Sequence, residues 1–191
     1  MKLGELLFKY RSFTPVPFFV VAIIWAQPQK GLVIFGAILA AVGELIRLWG
    51  VSYSGGATRT RKIGATQLVT NGPYAHLRNP LYFGDILIYI GAIIAAGAWL
   101  PYLMWIVIFF FSFQYMAIIR MEEKKLLELF GEEYERYTSA VPRYFPRISP
   151  YPYRSKIKPS LKNALRSEKS TFLNIIIFLA VFVVRWLIIG N

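Results

Sequence analysis

Two short stretches carry the side chains best able to do chemistry. The first, QLVTNGPYAHLRNPLYFGD over residues 67–85, gathers turn formers, aromatics and hydrogen-bonding groups. Asn71-Gly72-Pro73 forces a turn, Pro80 suits the first turn of a helix, and Asn79 stands where it would cap that helix. The N-terminus of such a helix offers free backbone N–H groups to an anionic group such as a carboxylate. A turn and a cap account for Gly72, Pro73, Asn79 and Pro80 without any ligand, but they leave Tyr74, His76, Arg78 and Tyr82 unexplained. The second stretch begins at Glu122 and Glu123, directly after an apolar run. Acids in a first helical turn favour the helix dipole. At a membrane surface the same carboxylates can also meet the 76–82 loop, and a carboxylate can hold an ammonium or ribose hydroxyls. Three further charges, Glu44, Arg47 and Asp85, fall inside apolar runs, where a charge normally faces protein or a wet cavity. Glu44 and Arg47 are spaced to pair on one helix face. The three read either as a structural ion pair with a helix-end acid or as part of a pocket.

Composition narrows the setting for these groups. The 191 residues are 56% hydrophobic and only 17% charged, against about 25% charged in soluble domains. This argues against a soluble globular protein, and the aromatic content argues against disorder. With no cysteine there are no disulfides, no thiolate catalysis and no Cys-based metal site, and a single histidine leaves no His-rich one, so no metal is expected. The formal charge of +12 comes from 22 Lys and Arg against 10 Asp and Glu. These basic residues lie beside apolar runs, which points to a membrane surface and not to nucleic acid.

The elements that must position the chemistry read as an all-α, polytopic membrane protein. Five apolar runs, at 13–26, 31–49, 81–100, 102–119 and 172–189, are assigned as transmembrane helices, the first marginal in length and the third and fourth a helical hairpin turned at Gly97, Trp99 and Pro101. Arg185 lies near enough to the end of the last run to snorkel to the interface. Segment 52–79 contains Arg59, Arg61, Lys62 and Arg78 with no acid, and segment 143–169 is basic except for Glu168. Short basic loops stay cytoplasmic, so the N-terminus is expected inside and the C-terminus outside. Residues 121–137 place Leu126, Leu127, Phe130, Tyr134 and Tyr137 on one face of a cytoplasmic amphipathic helix. Pro159 and Ser160 would start a short basic helix before the last span.

The pair GPYAHLRNPLYFG and EEKKLLELFGEEYERYTSAVPRYFP, separated by a two-span hairpin, resembles the isoprenylcysteine carboxyl methyltransferase and phospholipid methyltransferase superfamily of integral membrane enzymes. The resemblance covers about residues 40–147 of one membrane domain (1–191), leaving a basic cytoplasmic segment at 148–171 and a last span at 172–189. It implies an S-adenosyl-L-methionine-dependent methyltransferase, with the cofactor bound at the cytoplasmic face by the loop leading into the hairpin and a glutamate after it. By position it implies cofactor contacts from Gln67, Leu68, Val69, Tyr74, His76, Arg78, Asn79, Pro80, Leu81, Tyr82 and Glu122. Arg120 and Glu123 are the candidate catalytic residues. Asn79 stands where the family more often has histidine. The substrate-side arginine of the prenylcysteine enzymes falls on Ile118, with Arg120 two positions away. The implied acceptor is a prenylcysteine carboxylate or a lipid amine entering sideways from the bilayer, with membrane lipids as partners.

Two other readings use the same residues. RNPLYFGD with Asp85 also resembles the Arg-His-Pro-x-Tyr-x-Gly-Asp pattern of NADPH-dependent membrane sterol reductases, whose chains are usually about twice as long. A non-catalytic scaffold could instead hold anionic lipid through the basic 143–169 segment, most simply a positive-inside anchor. The want of a eukaryotic retention signal favours a prokaryotic plasma membrane.

Overall fold

The computed structural model describes residues 3–55 and 67–189, so Arg59, Arg61 and Lys62 of the first basic loop lie outside the described residues. Six α-helices follow in order: α1 (Leu3–Tyr10), α2 (Val16–Ile24), α3 (Lys30–Ser54), α4 (Pro80–Ala96), α5 (Tyr102–Ala140) and α6 (Leu161–Ile189). A 3-10 turn, Gly72–Ala75, precedes α4, and no strand occurs among the described residues. α3, α5 and α6 are long and apolar enough to cross a membrane. Their outer faces expose rows of large apolar side chains, such as Ile34, Phe35 and Ile38 on α3 and Leu173, Ile176 and Ile177 on α6. Water would not tolerate so much apolar surface, and lipid does.

The five-span expectation meets a different arrangement. The 13–26 run is cut by turns at residues 11–15, and the helix that follows has nine residues, a length of about 14 Å against ~30 Å of hydrocarbon. α4 is apolar but holds 17 residues. The expected separate amphipathic helix is the continuation of α5, which runs on past its apolar half until Gly131 (φ 49°, ψ −126°) breaks the helical path. A left-handed φ favours glycine, and beyond it the chain turns so that Tyr134 and Tyr137 are buried. The short basic helix and the last span are likewise one helix, α6, with the Ser160 hydroxyl accepting from the Asn163 amide at 3.4 Å. Arg185, near the end of α6, is half-buried. Its Nε donates to the Ala26 carbonyl at 2.9 Å, satisfying an acceptor in the α2–α3 turn.

What fixes the scaffold is the seam between α3 and α4. Gly36, Ala40 and Gly43 on α3 recur at helical spacing and face Gly84, Ile88 and Gly91 on α4. A Cβ added at Gly43 would lie 2.6 Å from the Gly84 carbonyl, and one at Gly84 would lie 2.7 Å from the Gly43 carbonyl. Small residues at such positions let two helix backbones touch, the main source of helix attraction where lipid competes for every apolar surface. α6 packs on α3, α1 on α5, and α5 on α4. One apolar core joins α2, α4, α5 and α6 through Ala22, Ile93, Phe111, Ile118 and Phe182. A second joins the end of α5 to the loop before α4 through Leu68, Ala75, Tyr134, Tyr137, Val141 and Tyr151.

Gly43→Leu and Gly84→Val should each destabilise the protein by about 1–3 kcal/mol through overpacking. Gly31→Val, at a position with nothing within 4 Å, should change little. Thermal unfolding in detergent separates them, and equal midpoints for all three would count against the seam.

Candidate functional site

Beside the end of α3 and the start of α4 lies a cavity of about 960 Å³, lined by Arg47, Tyr53 and Ser54 of α3 and by Pro80, Leu81 and Tyr82 of α4. Its polar wall is built from the 67–82 loop and α5. Gln67, Leu68, Val69, Tyr74, Arg78, Asn79, Pro80, Leu81, Tyr82, Glu122 and Glu123 all line it. Its apolar wall descends between the helices along Phe19, Ile88, Ala92, Phe178 and Leu179. Of the candidates taken from the sequence, His76 and Arg120 are not on its lining. The His76 Nδ1 stands 2.9 Å from the Arg147 carbonyl, so this nitrogen must carry the proton, and Arg120 is exposed on α5.

The two glutamates at the end of the apolar half of α5 have different partners. Glu123 is buried and held by two arginines: Arg78 Nη1 at 3.2 Å, from the loop before α4, and Arg143 Nη2 at 2.6 Å, from the chain after α5. The Glu123 hydrogen bonds raise the already high pKa of Arg143. Glu122 accepts a hydrogen bond from the Tyr82 hydroxyl at 3.0 Å, and among the described residues no basic side chain reaches it at ion-pair distance. Glu122 is half-buried, and Arg11 of the α1–α2 connection lines the same cavity. The Tyr82 ring in turn stands 4.6 Å from that of Tyr115.

The loop is positioned by the chain that returns from α5. Arg78 donates its amide to the Pro142 carbonyl at 3.0 Å, Arg147 to His76 at 2.9 Å and Tyr151 to Ala75 at 2.9 Å. The Tyr137 hydroxyl donates to the Tyr74 carbonyl at 2.7 Å. Burial pushes the Tyr74 phenol up to about 12, with the Ser54 hydrogen bond opposing and Glu122 adding to the rise, so it is a neutral donor at physiological pH. Asn79 occupies the N-cap position of α4, but its side chain makes no capping bond. Its Nδ2 faces the Arg143 carbonyl at 3.5 Å instead. Proline at N1 removes one of the donors a cap would satisfy. Arg78 Nε is buried and unpaired among the described residues, a donor left for a ligand or a water.

Below this wall lies an ionic cluster only half visible in the sequence. Arg47 Nε lies 3.5 Å from Glu44, the expected i,i+3 pair, but the same guanidinium also binds Asp85 of α4 and, at 2.9 Å, Glu168 of α6. Arg47, Asp85 and Glu168 line the cavity, and the Tyr115 hydroxyl donates to Asp85 Oδ2 at 3.2 Å. Sequence reasoning also passed over Arg11 and Ser12, from the α1–α2 connection, and Ser170, Thr171 and Asn174 on α6, which also line the cavity. These lie on elements far from either motif, and no local spacing marks them.

Comparison with known proteins agrees with the two motifs. The phospholipid methyltransferase family profile matches residues 32–133. Among curated proteins, the chain is 34% identical over 130 residues to the cobalt-zinc-cadmium resistance protein CzcN of Cupriavidus metallidurans, covering 66% of this chain and 54% of that protein. It is 36% identical over 116 residues to the nickel-cobalt-cadmium resistance protein NccN of Alcaligenes xylosoxydans xylosoxydans, covering 60% and 48%. It is 33% identical over 81 residues to the protein-S-isoprenylcysteine O-methyltransferase of Schizosaccharomyces pombe, covering 42% and 34%. The chain thus spans about half the length of the first two relatives. No solved structure matches it significantly.

Glu123→Gln should leave Arg78 and Arg143 without their shared counter-charge and cost about 3 kcal/mol or more. The loops on both sides should loosen, so trypsin should cut after Arg78 and Arg143 faster than in the wild type. Unchanged cleavage would mean that Glu123 does not hold them.

Proposed function

The chain belongs to the phospholipid methyltransferase family, and from that premise we propose that it transfers a methyl group from S-adenosyl-L-methionine to a lipid or lipid-modified acceptor. The observation that carries this reading is the single cavity in which the 67–82 loop and Glu122 face an apolar cleft between helices. A polar donor and a lipophilic acceptor can both reach such a space, one from each end.

The residues present fit the cofactor. Leu68 and Val69 offer an apolar wall for a purine, and Gln67 offers an amide for its edge. The unpaired Arg78 Nε suits a carboxylate. Glu122 suits ribose hydroxyls or a cation, and the Tyr74 and Tyr82 rings suit a sulfonium. When bound, S-adenosylmethionine supplies a methyl group already activated by its positive sulfur. The chain's own work is then alignment, and orientation of two reactants is worth about 7–11 kcal/mol without a strong acid or base. Phe19, Ile88 and Phe178 would hold the acyl or prenyl chain and fix the depth of the head group. The cleft they line is apolar and keeps water from the reacting atoms. A carboxylate acceptor, as in a prenylcysteine, needs no base, whereas a lipid ammonium must first lose a proton. In this reading Glu123 acts through Arg78 and Arg143 as a positioning residue. In this reading the site faces the cytoplasm with the N-terminus inside, in a prokaryotic plasma membrane; the excess of Lys and Arg in the short loops supports that orientation.

Calorimetric titration with S-adenosylhomocysteine, and separately with NADPH, tests the donor half. Binding of S-adenosylhomocysteine should have a Kd on the order of micromolar. Glu122→Ala and Tyr82→Ala should each weaken it about tenfold, the loss of one charge-assisted or stacking contact. Binding of NADPH alone would contradict the assignment in favour of a reductase.

A further inference from the structure

Between α5 and α6 the chain carries Arg143, Arg147, Arg154, Lys156 and Lys158 and no acid from 143 to 158. Arg143 and Arg147 are spent inside the protein, on Glu123 and on the Ala140 carbonyl. The other three are exposed, and they alternate with two half-buried residues, Ser155 and Ile157. Alternation of this kind is the signature of an extended segment with an inner and an outer edge. The inner edge is bonded to the cofactor loop. Ser155 donates its amide to Thr70 Oγ1 at 2.8 Å and accepts from the Thr70 amide at 3.2 Å. Asn71 Nδ2 donates to the Ile157 carbonyl at 2.7 Å. Thr70 directly follows Leu68 and Val69, which line the cavity.

The outer edge points to a membrane surface. Tyr153 is 71% exposed beside Arg154, and Phe145 and Ile148, on the same connection, are 79% and 98% exposed. The Ser160 amide donates to the Ser52 carbonyl at 2.8 Å, tying the connection to the end of membrane helix α3 just before α6 begins. Cations interleaved with exposed aromatic and aliphatic side chains beside a membrane helix complement an anionic headgroup layer. We propose that Arg154, Lys156 and Lys158 dock anionic lipid headgroups, and that their occupation holds Thr70 and Asn71, through Ser155 and Ile157, and with them the adjoining Leu68 and Val69 wall of the cavity. Anionic lipid thereby strengthens cofactor binding. The docking stands on this geometry alone; the coupling rests on the cofactor reading above.

The full-length protein in nanodiscs of phosphatidylcholine, with or without phosphatidylglycerol, tests both halves. S-adenosylhomocysteine should bind the wild type at least about threefold more tightly in the anionic discs. R154Q/K156Q/K158Q should bind it equally in both, at the wild-type value for phosphatidylcholine. Ser155→Ala, which removes the hydroxyl contacts to the Thr70 amide and Asn71 but keeps the backbone bond to Thr70, should still bind phosphatidylglycerol and reduce the lipid dependence of cofactor binding; unreduced dependence would overturn the route through Ser155. A triple variant that keeps the lipid dependence, or a wild type that shows none, overturns the coupling. Fluorescent phosphatidylglycerol binding to the detergent-solubilised protein reads the docking directly. It should weaken on the order of tenfold in the triple variant, and millimolar inorganic phosphate should not displace it. Unweakened binding, or displacement by phosphate, overturns the docking. Failure of S-adenosylhomocysteine to bind in any disc would overturn the cofactor reading and with it the coupling, while the fluorescent-lipid result would still decide the docking.

Discussion

A guanidinium set in an apolar helix needs partners inside the protein, carboxylates or backbone carbonyls, because the hydrocarbon around it offers none. Arg47 meets them on its own helix at Glu44, on α4 at Asp85 and on α6 at Glu168. Three helices are thereby pinned to one point near the end of α3. The glycine seam brings α3 and α4 into backbone contact above this point. The ionic cluster is thus both the floor of the cavity's polar part and the clasp that keeps α6 against its open side.

The same logic of one charge shared between elements recurs at Glu123. Arg78 and Arg143 come from opposite sides of α5, and the carboxylate between them fixes the loop before α4 to the chain after α5. The break at Gly131 makes this possible, since it turns the end of α5 so that Val141 and Pro142 return to the loop. Glu122, one residue earlier, is left facing the cavity with a tyrosine hydroxyl as its partner. Two adjacent acids in the sequence therefore do different work, and the difference is set by which of them the arginines can reach.

Much of this was legible in the sequence where local spacing governs it. Glu44 and Arg47 pair as their i,i+3 spacing requires, Asn71-Gly72-Pro73 marks the turn, and of the expected apolar face Leu126, Phe130, Tyr134 and Tyr137 pack into a core while Leu127 is exposed. What was not legible depends on tertiary contacts. Glu168 reads as a lone acid in a basic segment, yet it joins Arg47 across 121 residues. Arg185 reads as a snorkelling charge, yet it finds the Ala26 carbonyl. Asn79 reads as a cap, yet its side chain turns to Arg143. The five-span count is not confirmed: among the described residues three helices are long and apolar enough to cross a membrane. Hydropathy does not see that turns at 11–15 shorten α2, or that α5 continues past its apolar half.

The central claim is that one cavity brings a polar methyl donor to an acceptor held in the bilayer. Its most direct test is transfer of a radiolabelled methyl group from S-adenosylmethionine into the organic-soluble fraction of proteoliposomes prepared from bacterial lipid. The account predicts label in a lipid-soluble product that depends on the protein and is lost with Glu122→Ala. Binding of the donor with no label in any lipid-soluble product, across amine-bearing and carboxylate-bearing lipids alike, would contradict it.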